Sequence, residues 1–266
     1  MEKLKENNII KAIGIAVIYW VIYKIVGNAI NSTITSDNTY FLQVIIYVIM
    51  LLFLYIVLKL VKKTEILKEK GNGIKYGMQV GRFMFVLSII VLISSLITGI
   101  GKEEANFSLS RSFWFILSVI GTGLTEEILC RGINQNIICD QLGRKSRKTI
   151  MKGILISSVI FGALHLGNIF AGVSIKGAIV QAIYSIFIGF YFGAIYTRTK
   201  NIWSVSLLHA LLDCSSLIDA GVFGLSTTTE IMSGGSLPTV LFSLIYLFLG
   251  LYILRDKKAD EFVEIE

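Results

Sequence analysis

The chain has 266 residues, of which 54% are hydrophobic and only 16% charged, and its mean hydropathy is +0.73. Soluble globular domains carry about 25% charged residues, so this composition excludes a soluble enzyme and describes a helical membrane protein. The net charge of +7 comes from basic residues scattered between apolar runs, without the single basic patch or motif of a nucleic-acid binder.

Apolar runs near 20 residues are long enough for a helix to cross a hydrocarbon core of about 30 Å. Taken in order they cover about 9–27, 40–61, 83–100, 112–130, 150–171, 174–196, 202–218 and 239–254. The first follows MEKLKENN, lacks a small-residue cleavage site and reads as a retained helix. Tyr19, Trp20, Tyr23, Tyr40 and Phe41 flank the first outer loop as interfacial aromatics do. The charged 62–82 segment reads as an inner loop with room for an interfacial helix. The 219–238 segment has no Lys or Arg and many turn formers, and reads as an outer loop. The single proline, Pro238, suits long unbroken helices. The excess of Ile, Lys and Asn points to an AT-rich, bacterial coding genome.

Charge placement tests the topology, because Lys and Arg concentrate in cytoplasmic loops. With the N-terminus inside, the inner segments hold three (Lys3, Lys5, Lys11), seven (Lys59 through Arg82), six (Arg131 through Lys152), two (Arg198, Lys200) and three (Arg255, Lys257, Lys258), which is 21 of the 25. Only Lys24, Lys102, Arg111 and Lys176 fall outside. The expectation is an all-α polytopic protein of about eight spans with both termini cytoplasmic. Residues 1–266 are expected to form one transmembrane domain, with a core at about 112–218 and a short cytoplasmic tail at 255–266 that ends in the acidic ADEFVEIE.

Three patterns place ionisable residues inside apolar runs, where each costs roughly 3 kcal/mol or more and reads as functional. The first is GTGLTEEILCR, Gly121 to Arg131. On a helix Glu127 and Arg131 lie four apart and can pair on one face, while Glu126 points about 100° away and is left to act as a general base. The bland alternative is an architectural Glu–Arg pair. The second is Phe161 to His165, one turn apart, with the ring placed to pack on the imidazole and Gly162 and Ala163 admitting a neighbouring helix. A lone histidine there could equally be a helix–helix hydrogen bond. The third is His209 and Asp213, again on one face and suited to a mutual hydrogen bond or a metal. His209 lies about 10 Å along its helix from the inner end, and His165 about 18 Å past Lys152, so all three pieces are expected in the cytoplasmic half. Together they use both histidines of the chain. Cys130, Cys139 and Cys214 form no CxxC pair; Cys130 and Cys214 adjoin the motifs but read as small buried hydrophobes, not nucleophiles.

EExxxR, FxxxH and HxxxD on three membrane segments resemble the CPBP family of intramembrane proteases, also called the CAAX protease or Abi family, which includes the eukaryotic prenyl-protein endopeptidase. The motifs span about 126–213. The resemblance implies an endopeptidase whose membrane-embedded cavity opens to the cytosol. It implies that Glu126 and His165 position and deprotonate the attacking water, that Glu127 and Arg131 support them, and that His209 and residue 213 stabilise the oxyanion. This chain has Asp213 where the family often has Asn. Asp213 is then protonated, or orients His209, or ligates a metal. The family is widely labelled metalloprotease; the resemblance favours metal-independent water activation, with a divalent metal such as zinc on Glu126, His165, His209 and Asp213 as the alternative.

The expected function is hydrolysis of a peptide bond in a membrane-associated or lipid-modified protein or peptide at a bacterial plasma membrane, with possible roles in peptide maturation or bacteriocin self-immunity. A non-catalytic immunity or scaffold protein of the same fold, or a proton-coupled transporter, are the other readings. For the transporter, no matching pair of Gly/Pro-broken helices is visible.

Overall fold

The computed structural model describes residues 7–68 and 72–263. Lys3, Lys5, Lys70 and the last residues of the acidic tail, 264–266, lie outside them. All eight apolar runs form helices, and no strand occurs among the described residues. They are α1 (Asn8–Thr33), α2 (Thr39–Leu60), α3 (Arg82–Ile100), α4 (Leu109–Leu142), α5 (Arg147–His165), α6 (Ile175–Thr199), α7 (Ile202–Gly221) and α8 (Leu237–Ile253). The first seven are long and apolar enough to cross a membrane. The eighth has 17 residues, about 25 Å at 1.5 Å per residue, the short end of the spanning range.

Helix starts fall where a short polar side chain can bond the first free N–H groups, which have no partner within the helix. Asn7, Asn38, Ser108, Ser146, Ser174 and Asn201 do this for α1, α2, α4, α5, α6 and α7. In the charged 62–82 connection the expected interfacial helix is Gly73–Val80. The connection is tied to the α6–α7 junction: Asn72 N–H donates to Thr199 O at 3.3 Å, and Trp203 Nε1 donates to Leu67 O at 3.3 Å.

The helices alternate in direction, which sorts their ends onto two faces. One face carries the start of α1, where Asn8 Nδ2 donates to Ile137 O at 3.0 Å, and the end of α8, where Arg147 Nε donates to Leu254 O at 2.5 Å. The opposite face carries the segments 34–38, 101–108, 166–174 and 222–236. These hold one another: Asn106 N–H donates to Phe223 O at 2.8 Å, and Tyr40 and Thr228 hydroxyls lie 3.3 Å apart.

The half of the bundle nearer the termini is solid. Glu127 to Cys139 on α4 and Ile188 to Thr199 on α6 are buried without interruption. α6 carries none of the three motifs, yet it packs on α5 and α8, while α4 packs on α2 and α7 and α3 packs on α7. Residues Ile128–Gln135 of α4 are a π-helix, where the sequence reads as ordinary α-helix. A widened turn leaves carbonyls misaligned, and in an apolar surrounding each must find another donor. Ser157 Oγ donates to Cys130 O at 2.8 Å and Asn136 Nδ2 to Gly132 O at 3.0 Å. The same stretch aims Arg131 and Gln135 at α6. There Arg131 Nη2 donates to Gly189 O at 3.0 Å and Gln135 Nε2 to Gly193 O at 3.1 Å.

Small residues on α6 make this approach possible. A Cβ at Gly193 would meet Ile154 Cγ2 at 2.6 Å and Gln135 Oε1 at 2.7 Å, whereas one at Gly14 on α1 would meet nothing within 4 Å. Gly193→Ala is therefore expected to destabilise by about 1–3 kcal/mol through overpacking. Gly14→Ala should be neutral or stabilise by up to about 1 kcal/mol, as Ala for Gly in a helix interior does. Unfolding in mixed micelles titrated with SDS measures both.

Candidate active site

The buried half ends in a layer of polar side chains from α4, α5 and α7. Glu127 is 0% exposed and Arg131 1%, and Arg131 Nη1 donates to Glu127 Oε1 at 2.8 Å. This is the pair read from the sequence. The same Oε1 also meets His209 Nδ1 at 2.8 Å, a contact that joins α4 to α7. A carboxylate can only accept here, so Nδ1 carries the proton and donates it. The second ring nitrogen, Nε2, then points away, 3.8 Å from Glu126 Oε2 and 3.7 Å from Asp213 Oδ2. The i, i+4 spacing suits His209 and Asp213 to a mutual hydrogen bond or a metal; the close partner of His209 is Glu127, because α7 lies against the buried face of α4.

Phe161 sits at the centre of the group. The Arg131 guanidinium carbon lies 4.6 Å from its ring centroid, which suits a cation on an aromatic face. The His165 ring meets Phe161 edge-on at 4.7 Å and 86°. That contact is the expected packing of Phe161 on the imidazole. His165 Nδ1 is 2.9 Å from the Phe161 carbonyl, so the carbonyl accepts Nδ1–H and Nε2 is turned outward. Phe192 of α6 stacks on His209 at 5.3 Å and 29°.

Glu126, His165, His209 and Asp213 all line one cavity of about 680 Å³. The Glu126 and Asp213 side chains are 29% and 23% exposed, in contrast to Glu127 at 0%. The two adjacent glutamates therefore divide as the sequence predicts, one held in the core and one facing open space. No ion pair or hydrogen bond links Glu126 to His165 among the described residues, and the cavity lies between them.

Sequence reasoning missed the rest of the lining. Tyr19, Tyr23 and Tyr47 of α1 and α2 form a wall, with Thr122 Oγ1 donating to the Tyr47 hydroxyl at 3.0 Å. Asn168 and Gln181 supply amides, joined by Asn168 Nδ2 to Gln181 Oε1 at 2.8 Å. Tyr19, Trp20, Tyr23 and Tyr40, read as interfacial aromatics, all line the cavity, and Tyr19 and Tyr40 are buried. Their one-turn spacing on α1 carries no sign that α1 faces α4. Cys130 forms part of the cavity floor and all three thiols are free.

A second correction concerns depth. His165 is the nineteenth residue of α5, about 27 Å from the end nearer the termini, and Glu126 is close to the middle of α4. The floor residues Leu129, Cys130 and Phe161 are buried, whereas the exposed lining residues are Thr39, Ala171, Gly224 and Thr227. The cavity therefore opens on the face opposite the termini. Cytoplasmic termini and a cytoplasmic mouth cannot both hold. Counting along each helix from its inner end gives a distance but not the level of the floor, which Leu129 and Cys130 of the π-stretch and Phe161 of α5 form beneath Glu126 and His165.

Among the described residues no three His, Cys, Asp or Glu side chains are gathered to hold one metal ion. Glu126, His165, His209 and Asp213 as arranged do not form such a group.

Residues 108–215 match the family described as type II CAAX prenyl endopeptidase Rce1-like. The match covers the three motifs, and the resemblance read from them holds over this segment. No curated protein and no solved structure matches the chain.

The two glutamates should separate in stability measurements. Glu127→Ala leaves Arg131 and His209 without their shared acceptor and is expected to cost about 3–5 kcal/mol, as breaking a buried pair does. Glu126→Gln, facing the cavity, should stay within about 0.5 kcal/mol of the parent. Unfolding midpoints in SDS titrations report the difference.

Proposed function

We propose that this chain, whose 108–215 segment is Rce1-like, is an intramembrane endopeptidase that hydrolyses a peptide bond of a membrane-associated or lipid-modified protein or peptide. The observation that carries the proposal is the convergence of Glu126, His165, His209 and Asp213 on one cavity within the segment that matches a peptidase family.

In this reading a water sits between Glu126 and the outward Nε2 of His165. The Glu126 carboxylate takes one proton as the water oxygen adds to the scissile carbonyl. The C–N bond then breaks, and the proton held by Glu126 passes to the leaving amine, which balances the step. The tetrahedral oxyanion needs donors. His209 can supply one from Nε2 only as the imidazolium, since Nδ1–H is given to Glu127; the three surrounding carboxylates, Glu126, Glu127 and Asp213, are placed to balance that charge. Asp213, with Oδ2 3.7 Å from Nε2, places negative charge beside it and leaves Nε2–H free for the oxyanion. No metal enters the proposed step, and Phe161, Glu127 and Arg131 are positioning residues.

Substitution, substrate identification and chelation test this. Glu126→Gln should lower kcat about 10²- to 10⁴-fold, the range for loss of a general base, with folding intact. Comparison of peptides and membrane proteins by mass spectrometry, in cells carrying active or Glu126→Gln protein, identifies the substrate; equal cleavage by both ends the mechanism. Asp213→Asn should keep activity within about tenfold, because an amide retains a polar contact with His209 and can donate to an oxyanion. His209→Gln should lose about 10²- to 10³-fold. Exhaustive chelation should leave the rate unchanged, and a loss restored by zinc would select a metal-dependent reaction instead.

A further inference from the structure

We infer that the catalytic cavity is entered from the extracytoplasmic face of the membrane, so that the bond it cleaves lies in an extracytoplasmic segment of a membrane-anchored or exported polypeptide. The substrate half of this statement rests on the endopeptidase reading; the sidedness does not.

Two independent observations combine. The first is geometric: the exposed lining residues Thr39, Ala171, Gly224 and Thr227 belong to the face opposite the termini, while Leu129, Cys130 and Phe161 close the other end. Beneath that floor lie the uninterrupted buried runs of α4 and α6. The second is electrostatic: of the 22 Lys and Arg among the described residues, 17 fall on the side that carries the termini, four on the mouth side, and Arg131 is buried between them. Every connection is short, which is the regime in which positive charge sets orientation. The termini are thus cytoplasmic and the mouth is not.

Two of the four cations on the mouth side, Arg111 and Lys24, have local reasons to be there. Arg111 donates from Nη2 to Val222 O at 3.0 Å and also to Asn106 O, which pins the end of α7 to the start of α4. Lys24 Nζ lies 5.9 Å from the Trp20 ring centroid, and Trp20 in turn packs on Phe170. Both residues line the cavity, and neither has a carboxylate partner among the described residues. They give the mouth positive charge without adding to a cytoplasmic basic band.

The depth sets a length requirement on the substrate. Arg111 at the rim and Glu126 at the floor are 15 positions apart on α4, about 22 Å along the helix. An extended peptide covers roughly 3.3 Å per residue, so about seven residues must thread from the mouth to the scissile bond. A polypeptide confined to the cytoplasm cannot supply them.

Cysteine labelling in cells tests the sidedness without any need for activity. In full-length protein with Cys130, Cys139 and Cys214 changed to Ala, Thr39→Cys and Ser226→Cys mark the mouth and Lys148→Cys marks the opposite face. A charged, membrane-impermeant maleimide is applied to intact spheroplasts of a bacterial host, then to lysed ones. The expected result is labelling of Thr39→Cys and Ser226→Cys in intact spheroplasts, and of Lys148→Cys only after lysis. Labelling of both mouth positions only after lysis overturns the inference, whatever Lys148→Cys does. Labelling of all three positions in intact spheroplasts overturns it too, because orientation is then not fixed. These results leave the Glu126→Gln test untouched, so failure of the sidedness and failure of the catalytic reading are told apart.

Discussion

One carboxylate oxygen organises the candidate site. Glu127 Oε1 accepts from Arg131 Nη1 and from His209 Nδ1, each at 2.8 Å, in a place where the Glu127 side chain has no exposure. An unshared carboxylate there would cost several kcal/mol. Sharing it between a guanidinium of its own helix and an imidazole of another fixes the distance between α4 and α7 and the tautomer of His209 together. The direction in which Nε2 faces Glu126 and Asp213 follows from that.

The rest of the bundle makes this oxygen a fixed point. Arg131 is held from the far side by Gly189 O and lies over Phe161, so α4, α5, α6 and α7 meet around one guanidinium. The π-helical stretch contributes by aiming Arg131 and Gln135 at α6, whose glycines present bare carbonyls. Polar glue of this kind is worth about 1 kcal/mol per contact in membranes, and its value here is geometric. It closes the bundle beneath Phe161, so that the cavity holding Glu126 opens only toward the face opposite the termini.

Much of this was legible in the sequence, and the parts that were not share a cause. The eight apolar runs and the alternation of basic segments depend on length and charge, which a one-dimensional string carries in full. The division of Glu126 from Glu127 depends on 100° per residue along one helix, and it too was readable. The Glu127–His209 contact, the tyrosine wall and the position of the mouth depend on which helices are neighbours, and nothing in Tyr19 or Gln181 announces that neighbour. The π-stretch was hidden because its compensating donors, Ser157 and Asn136, look like ordinary small polar residues. The depth error has the same origin: counting along α5 from Lys152 fixed a distance but not the level of the floor.

The short eighth helix carries a consequence for the surrounding lipid. α8 spans about 25 Å between Ser236 and Leu254, against a hydrocarbon core of about 30 Å, whereas α1 with 26 residues is about 39 Å long. A helix that is too short is met by local thinning of the bilayer, and one that is too long by tilting. The protein therefore sits in an uneven annulus, pinched beside α8 and sloping beside α1. α8 packs on α6, so the short helix borders the same helix whose Gly189 carbonyl accepts from Arg131.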